Sequence, residues 1–251
     1  MVRRGLCADL ASDGQTPDSL DQLVITDPSF DFSTSRAVRL ELRAEVALLS
    51  RASIQVRGVD SLPEREIQAI LETGFTEAGL HPLRELRFPH RAGEPIRSVG
   101  IRCDFVLRPD DRPLDLGDEP AEDEDDGPGL FAELAPPPPE PLDPGDAFWL
   151  EVKTGAACRD LGEAGDLSTL PKRTTVDLAR LAHARGVRHA AVLVVAFGPD
   201  EETMARDAHA LDRHAADQGL PTLGAVVRTF PITDRHGNAA GLVAVIPVGR
   251  G

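Results

Sequence analysis

Apolar residues recur along this chain with two periods, and the alternation between them outlines an α/β order. The stretch Ala147-Phe148-Trp149-Leu150-Glu151-Val152-Lys153-Thr154-Gly155 reads as a buried strand stopped by its glycine. Side chains alternate along a strand, so Phe148, Leu150 and Val152 share one face, and Glu151 and Lys153 the other. Residues 99–107 alternate as well. Val99, Ile101, Cys103, Phe105 and Leu107 form the apolar face, with Arg102 and Asp104 opposite.

Upstream, Ser61-Leu62-Pro63-Glu64 has the form of a capping box. It predicts a helix to about Ala78 with Ile67, Ile70 and Leu71 inward and Gly79 as its stop. Residues 83–89 predict a strand, and Arg91 to Glu94 a turn. A loop over 154–173 leads to a helix capped by Thr174 or Thr175, with Leu178, Leu181 and Ala182 inward. Residues 190–197 are apolar on both faces, as a covered central strand should be. Asp200 and its neighbouring acids open a helix whose stripe is Met204, Ala208, Leu211 and Ala215, and Gly219 ends it. Strands over 223–232 and 241–248 predict a terminal hairpin. Residues 36–59 mix both periods, with a short strand at 53–57, and residues 1–35 read as a loosely ordered polar arm. The fold class is α/β: one domain over 36–251 with a central mixed β-sheet flanked by helices.

Charge changes this picture at one place. The chain carries 27 basic and 42 acidic residues, a net −15. Residues 109–145 hold thirteen acids against the single Arg112, which is −12 of that total and leaves −3 for the rest. With its proline run at 136–139, this segment predicts a disordered acidic insertion that contributes nothing to a core. Emerging between the strands that carry Asp104 and Glu151, it is expected to start at the mouth of any site they form. Three scattered cysteines, Cys7, Cys103 and Cys158, make no disulfide framework. No apolar run has membrane-spanning length and the start lacks a signal-peptide core, so no membrane association and a reducing cytoplasm are expected.

A carboxylate and an ammonium two residues apart on a core-like strand need partners, because unpaired charge is costly to bury. If the two alternating strands pair, Asp104 falls beside Glu151 and Lys153. Asp104 on one strand, Glu151-Val152-Lys153 on the next, a helix before and a strand–helix–strand order over roughly 61–200 resemble the PD-(D/E)XK nuclease superfamily, the restriction-endonuclease-like fold. Cys103 stands where the family's nominal proline precedes the Asp, and the gap from Asp104 to Glu151 is long.

The resemblance implies phosphodiester hydrolysis assisted by Mg²⁺ or Mn²⁺. Asp104, Glu151 and the Val152 carbonyl would be the oxygen ligands, and Lys153 would orient or deprotonate the attacking water. It also implies an acid from the first helix: Glu66 is the first choice, Glu72 the second. The substrate would be a nucleic-acid backbone, DNA before RNA, and a homodimer is compatible with the fold. Arginines crowd the hairpin before Asp104. Arg84, Arg87 and Arg102 there, with Lys172 and Arg173 before the next helix, make either a phosphate-contacting surface or a set of local ion pairs. His209 and His214 are spaced wrongly for one helix face and receive no metal. The alternative is a catalytically inactive, nuclease-like interaction protein that uses its acidic insertion to bind a basic partner.

Overall fold

The computed structural model describes residues 59–89, 101–117, 139–158, 165–232 and 238–249. The expected arm at 1–35, the strand at 53–57, the turn at 91–94 and the middle of the acidic insertion lie outside the described residues.

The elements are α1 (Glu64–Glu77), β1 (His81–Arg87), β2 (Arg102–Arg108), β3 (Phe148–Ala156), α2 (Leu170–His183), β4 (His189–Gly198), α3 (Glu201–Asp217), β5 (Val226–Pro231) and β6 (Ala240–Pro247). The strands form one mixed sheet in the order β1-β2-β3-β4-β6-β5. β3 and β4 run parallel, joined across the sheet by α2, and every other neighbouring pair is antiparallel. The terminal hairpin forms as expected, but β6 inserts between β4 and β5 and is buried along its whole length.

The strand alternation sorts the core into two layers. Phe105, Phe148, Leu150 and Val152 pack with Ile67, Ile70, Leu71 and Phe75 of α1 on one side of the sheet. Trp149, Val192 and Val194 pack with Leu178 and Leu181 of α2 and Met204 and Leu211 of α3 on the other. Glu151 and Lys153 have the parity of Trp149 and so face α2. Trp149 is buried; its indole N–H donates to the Pro144 carbonyl at 2.9 Å and its ring stacks on Phe88. No helix among the described residues is long and apolar enough to cross a membrane.

Several boundaries differ from those expected. The N-cap of α1 is Pro63 in place of the expected Ser61, and Glu64 turns away to β3 and α2. β1 begins two residues earlier than expected, at His81. α2 starts at Leu170 with Pro171 in its first turn, so Thr174 is a buried helix residue and not a cap. β3 continues through Gly155, because the glycine is there for close packing: a Cβ would stand 3.1 Å from Leu167 Cδ2. Ile101 precedes β2 and is exposed, and Cys103 packs with the Trp149 layer instead of with Phe105 and Leu107.

The acidic insertion is not structureless at its ends. Asp115 N–H donates to the Leu142 carbonyl at 3.0 Å, and Leu142 N–H to the Pro113 carbonyl at 2.7 Å. Leu142 is 3% exposed in the α2-side core, with Leu114 and Leu116 against it. Residues close to each strand thus contribute apolar surface, contrary to expectation.

Leu142→Ala should therefore lower the free energy of unfolding by about 2 kcal/mol or more, as truncation of a buried leucine does. Urea denaturation measures it, and a change under about 0.5 kcal/mol, of the size seen at exposed positions, would show that this end of the insertion does not pack.

Candidate active site

The site forms where β2 leaves β3. Their ladder pairs Leu107 with Phe148, Val106 with Trp149 and Phe105 with Leu150, and stops there. At the next step Asp104 uses its side chain in place of its backbone. Its Oδ2 accepts the Val152 N–H at 2.7 Å, satisfying a donor that would otherwise face the gap. The distortion extends to β1: the ladder passes from Arg84–Phe105 to Leu86–Cys103 without a Glu85–Asp104 pair, and Glu85 has φ +54°, a left-handed conformation that residues other than glycine adopt at a cost.

Into this gap project the alternating residues of β3. Lys153 Nζ lies 3.8 Å from Asp104 Oδ2 and 3.7 Å from Glu151 Oε2, and donates to the Val152 carbonyl at 2.9 Å. Two further residues arrive from α2. Asp177 Oδ2 sits 2.8 Å from Lys153 Nζ, and Arg180 Nη1 bridges Asp177 Oδ1 at 3.0 Å and Glu151 Oε1 at 3.3 Å. The side chains grade from inside to outside: Glu151 is 3% exposed, Asp177 6%, Lys153 12%, Asp104 15% and Arg180 33%.

Three carboxylates thus face two cations. Burial, and then the charges of Asp104 and Asp177, push the Glu151 carboxyl up to about 8 against the pull of Lys153. Burial by itself would lower the Lys153 ammonium. The hydrogen bond and charge of Asp177, with the charges of Asp104 and Glu151, outweigh burial and raise it above its ordinary value. Cys103 lies beside the same charges; burial first, then Glu151 and Asp104, hold it well above the usual thiol range.

Asp104, Glu151, Val152 and Lys153 therefore come together as the sequence spacing suggested. The other expected residues are dispersed. Glu66 is exposed on α1, and Glu72 pairs with Arg84. The acid of α1 that reaches β3 is Glu64, which accepts from Thr154 Oγ1 at 3.0 Å and from Arg173 Nη2 at 3.0 Å. Arg173 also donates to the Thr154 carbonyl and lies 3.8 Å from Asp166, so it serves to join α1, β3 and α2. Arg84 is bound by Gln68 and Glu72 and stacks over Phe105. Arg87, Arg102 and Lys172 are exposed, Arg102 donating to the Glu85 carbonyl.

Asp177 and Arg180 escaped the sequence reading. A signal existed: Asp177 falls on the stripe of Leu170, Thr174, Leu178 and Leu181, an acid where the helical period calls for an apolar residue. Chemically, the cluster gathers hard carboxylate and carbonyl oxygens around a lysine that they hold in its protonated form. The carboxylates of Asp104 and Glu151 and the Val152 carbonyl are of the type that Mg²⁺ or Mn²⁺ prefers. Burial first, and then the negative charge of Asp104 and Asp177, favour the protonated form of Glu151, and a divalent cation would offset the second of these. Among the described residues no group of three or more His, Cys, Asp and Glu side chains is arranged to hold a metal ion, and Lys153 Nζ lies 3.8 and 3.7 Å from the Asp104 and Glu151 oxygens. Comparison of the chain with family models, with curated proteins and with solved structures finds no match.

The Glu151 shift sets a pH dependence. Between its ordinary 4.5 and about 8, the folded chain holds a proton on Glu151 that the unfolded chain has lost, so raising the pH through this window destabilises the fold. Glu151→Gln, neutral throughout, escapes that loss. Its melting temperature relative to the unmutated protein should climb steadily from about pH 5 to about pH 9 in calorimetry. A difference that stays flat across the window would mean that Glu151 is ionised throughout.

Proposed function

We propose that this chain is a metal-dependent nuclease of PD-(D/E)XK type, hydrolysing phosphodiester bonds of a nucleic acid, DNA in the first instance, in a reducing cytoplasm. The observation that carries the reading is the meeting of Asp104, Glu151 and Lys153 in the gap between β2 and β3, with Lys153 Nζ 3.8 and 3.7 Å from the two acids. The order α1-β1-β2-β3-α2-β4, with two antiparallel pairings and then a parallel crossover, supports a restriction-endonuclease-like core. Free thiols at Cys103 and Cys158 are in keeping with the compartment.

Asp104, Glu151 and the Val152 carbonyl would hold Mg²⁺ or Mn²⁺. Such an ion, when bound, polarises the scissile phosphate and lowers the pKa of an attacking water. Asp104 also holds the Glu151–Val152 peptide through the Val152 N–H, and the Val152 carbonyl accepts from Lys153 Nζ inside the site. Lys153, held by Asp177, keeps its proton at neutral pH. It therefore orients the water and stabilises charge building on the phosphate oxygens, and does not act as the base. In the net reaction water adds to phosphorus, one P–O ester bond breaks, and the leaving oxygen ends with a proton.

One observation favours the second reading, a nuclease-like interaction protein without catalysis. Lys153, Asp177, Arg180 and Glu151 satisfy one another in a closed ion network, which a purely structural role would also need. The acidic segment would then engage a basic partner.

Cleavage of duplex DNA, single-stranded DNA and RNA with Mg²⁺ or Mn²⁺ separates the two. Asp104→Asn retains an oxygen for the Val152 N–H, so the fold should persist while cleavage falls by roughly a hundredfold or more. If the unmutated protein leaves all three substrates intact with either ion, the hydrolase reading is wrong and the closed network is structural.

A further inference from the structure

The nuclease reading leaves a physical difficulty: a phosphodiester must approach three carboxylates. A divalent ion would offset part of that charge, but the side chain that meets the phosphate at the surface must also be positive, because like charges repel most where water is partly excluded. Lys153 is 12% exposed and engaged by Asp177 at 2.8 Å. Arg173 is committed to Glu64, Thr154 and Asp166. Lys172 lies eight residues before Arg180 on α2, about 12 Å along the helix. Arg180 alone among the described cations both touches the acid cluster and faces solvent, at 33% exposure.

Resting on the nuclease reading, we propose that Arg180 is the residue that grips the substrate phosphate. Its contacts to Glu151 and Asp177 are both made by Nη1. The two acids thus hold one nitrogen of the planar guanidinium, and about a third of the side chain remains exposed. A fixed fork of N–H donors matches two phosphate oxygens, which a flexible ammonium does not. The i,i+3 spacing from Asp177 puts the anchor and the fork on one face of α2, above the same gap that holds Asp104 and Lys153. Arg180 thereby has two states of partnership. Without substrate it compensates the buried acids. With substrate it keeps that anchor and adds the phosphate.

A merely structural Arg180 would do only the first, so the test is built to separate them. Binding of fluorescein-labelled duplex DNA, single-stranded DNA and RNA is followed by anisotropy across a salt series. Ca²⁺ replaces Mn²⁺ so that nothing is cut. Arg180→Ala should weaken binding roughly tenfold, evenly across sequences, and should reduce the slope of log affinity against log salt by about one phosphate. Arg180→Lys, which keeps the charge near the acids, should retain the melting temperature of the unmutated protein yet recover only part of the affinity. In the cleavage assay with Mn²⁺, Arg180→Ala should lose roughly a hundredfold and regain activity when guanidinium is added at low concentration. If Arg180→Lys binds and cleaves like the unmutated protein, and Arg180→Ala shows an unaltered salt slope and no guanidinium rescue, Arg180 only compensates the buried acids and the proposal is overturned. If none of the three nucleic acids is bound by the unmutated protein, the proposal is equally overturned. Binding with the predicted slope change but no cleavage by the unmutated protein would support Arg180 as a phosphate contact and count against the hydrolase alone.

Discussion

Three carboxylates cannot remain ionised side by side in a space that water scarcely enters unless positive charge is brought to them. Much of the architecture follows from that constraint. β2 leaves β3 after Phe105, and Asp104 fills the vacated ladder position by capping the Val152 amide. The gap admits Glu151 and Lys153 from the α2 face of β3, and α2 answers with Asp177 and Arg180. The helix could not supply those two residues at that point without the parallel crossover from β3 to β4, which lays it over the middle of the sheet. On the other face, Glu64 and Arg173 tie α1 and α2 to Thr154 just beyond the gap, so the opening has fixed walls. The three acids face only two cations, and burial together with the charges of Asp104 and Asp177 raises the Glu151 carboxyl well above its ordinary range.

The strand pattern carried most of the fold. Alternation placed Glu151 and Lys153 opposite Leu150 and Val152 and Asp104 beside them, but Asp104 reaches them by a side-chain bond to the Val152 amide beyond the end of the ladder. Events at element ends were harder to see, because they are decided by tertiary partners. Glu64 had the spacing of a capping-box acid, but its partners are Thr154 and Arg173, which only the tertiary fold brings to it. Gly155 looked like a stop and is instead a strand residue packed against Leu167. Pro171 looked like part of a loop and is the first turn of α2, and that misreading hid Asp177, whose place on the apolar stripe becomes plain only when the helix begins at Leu170. Nothing in the alternation of β6 announces that it pairs with β4 as well as with β5, since both pairings bury the same residues.

The acidic insertion takes a different position from the one its sequence suggested. It joins the C-terminal end of β2 to the N-terminal end of β3, while Asp104 and Glu151 lie beyond the other end of that ladder. Asp104 and Arg108 are four residues apart, about 13 Å of strand. The insertion therefore begins away from the site, and its ends are pinned by the Leu114–Leu142 bridge and by Arg188, which pairs with Asp143 and Asp146. A negative charge of this size still acts at a distance when salt is low, but the site is not built around it.

The proposal that Asp104, Glu151 and the Val152 carbonyl hold a divalent cation is tested most directly by Mn²⁺ titration calorimetry, which needs no assumption about substrate. The unmutated protein should bind about one Mn²⁺ per chain and release protons as Glu151 gives up its own, which appears as a buffer-dependent heat. Asp104→Asn should remove that binding. An absence of Mn²⁺ binding by the unmutated protein, or binding that survives unchanged in Asp104→Asn, would contradict the claim and leave the acids as partners of Lys153 and Arg180 alone.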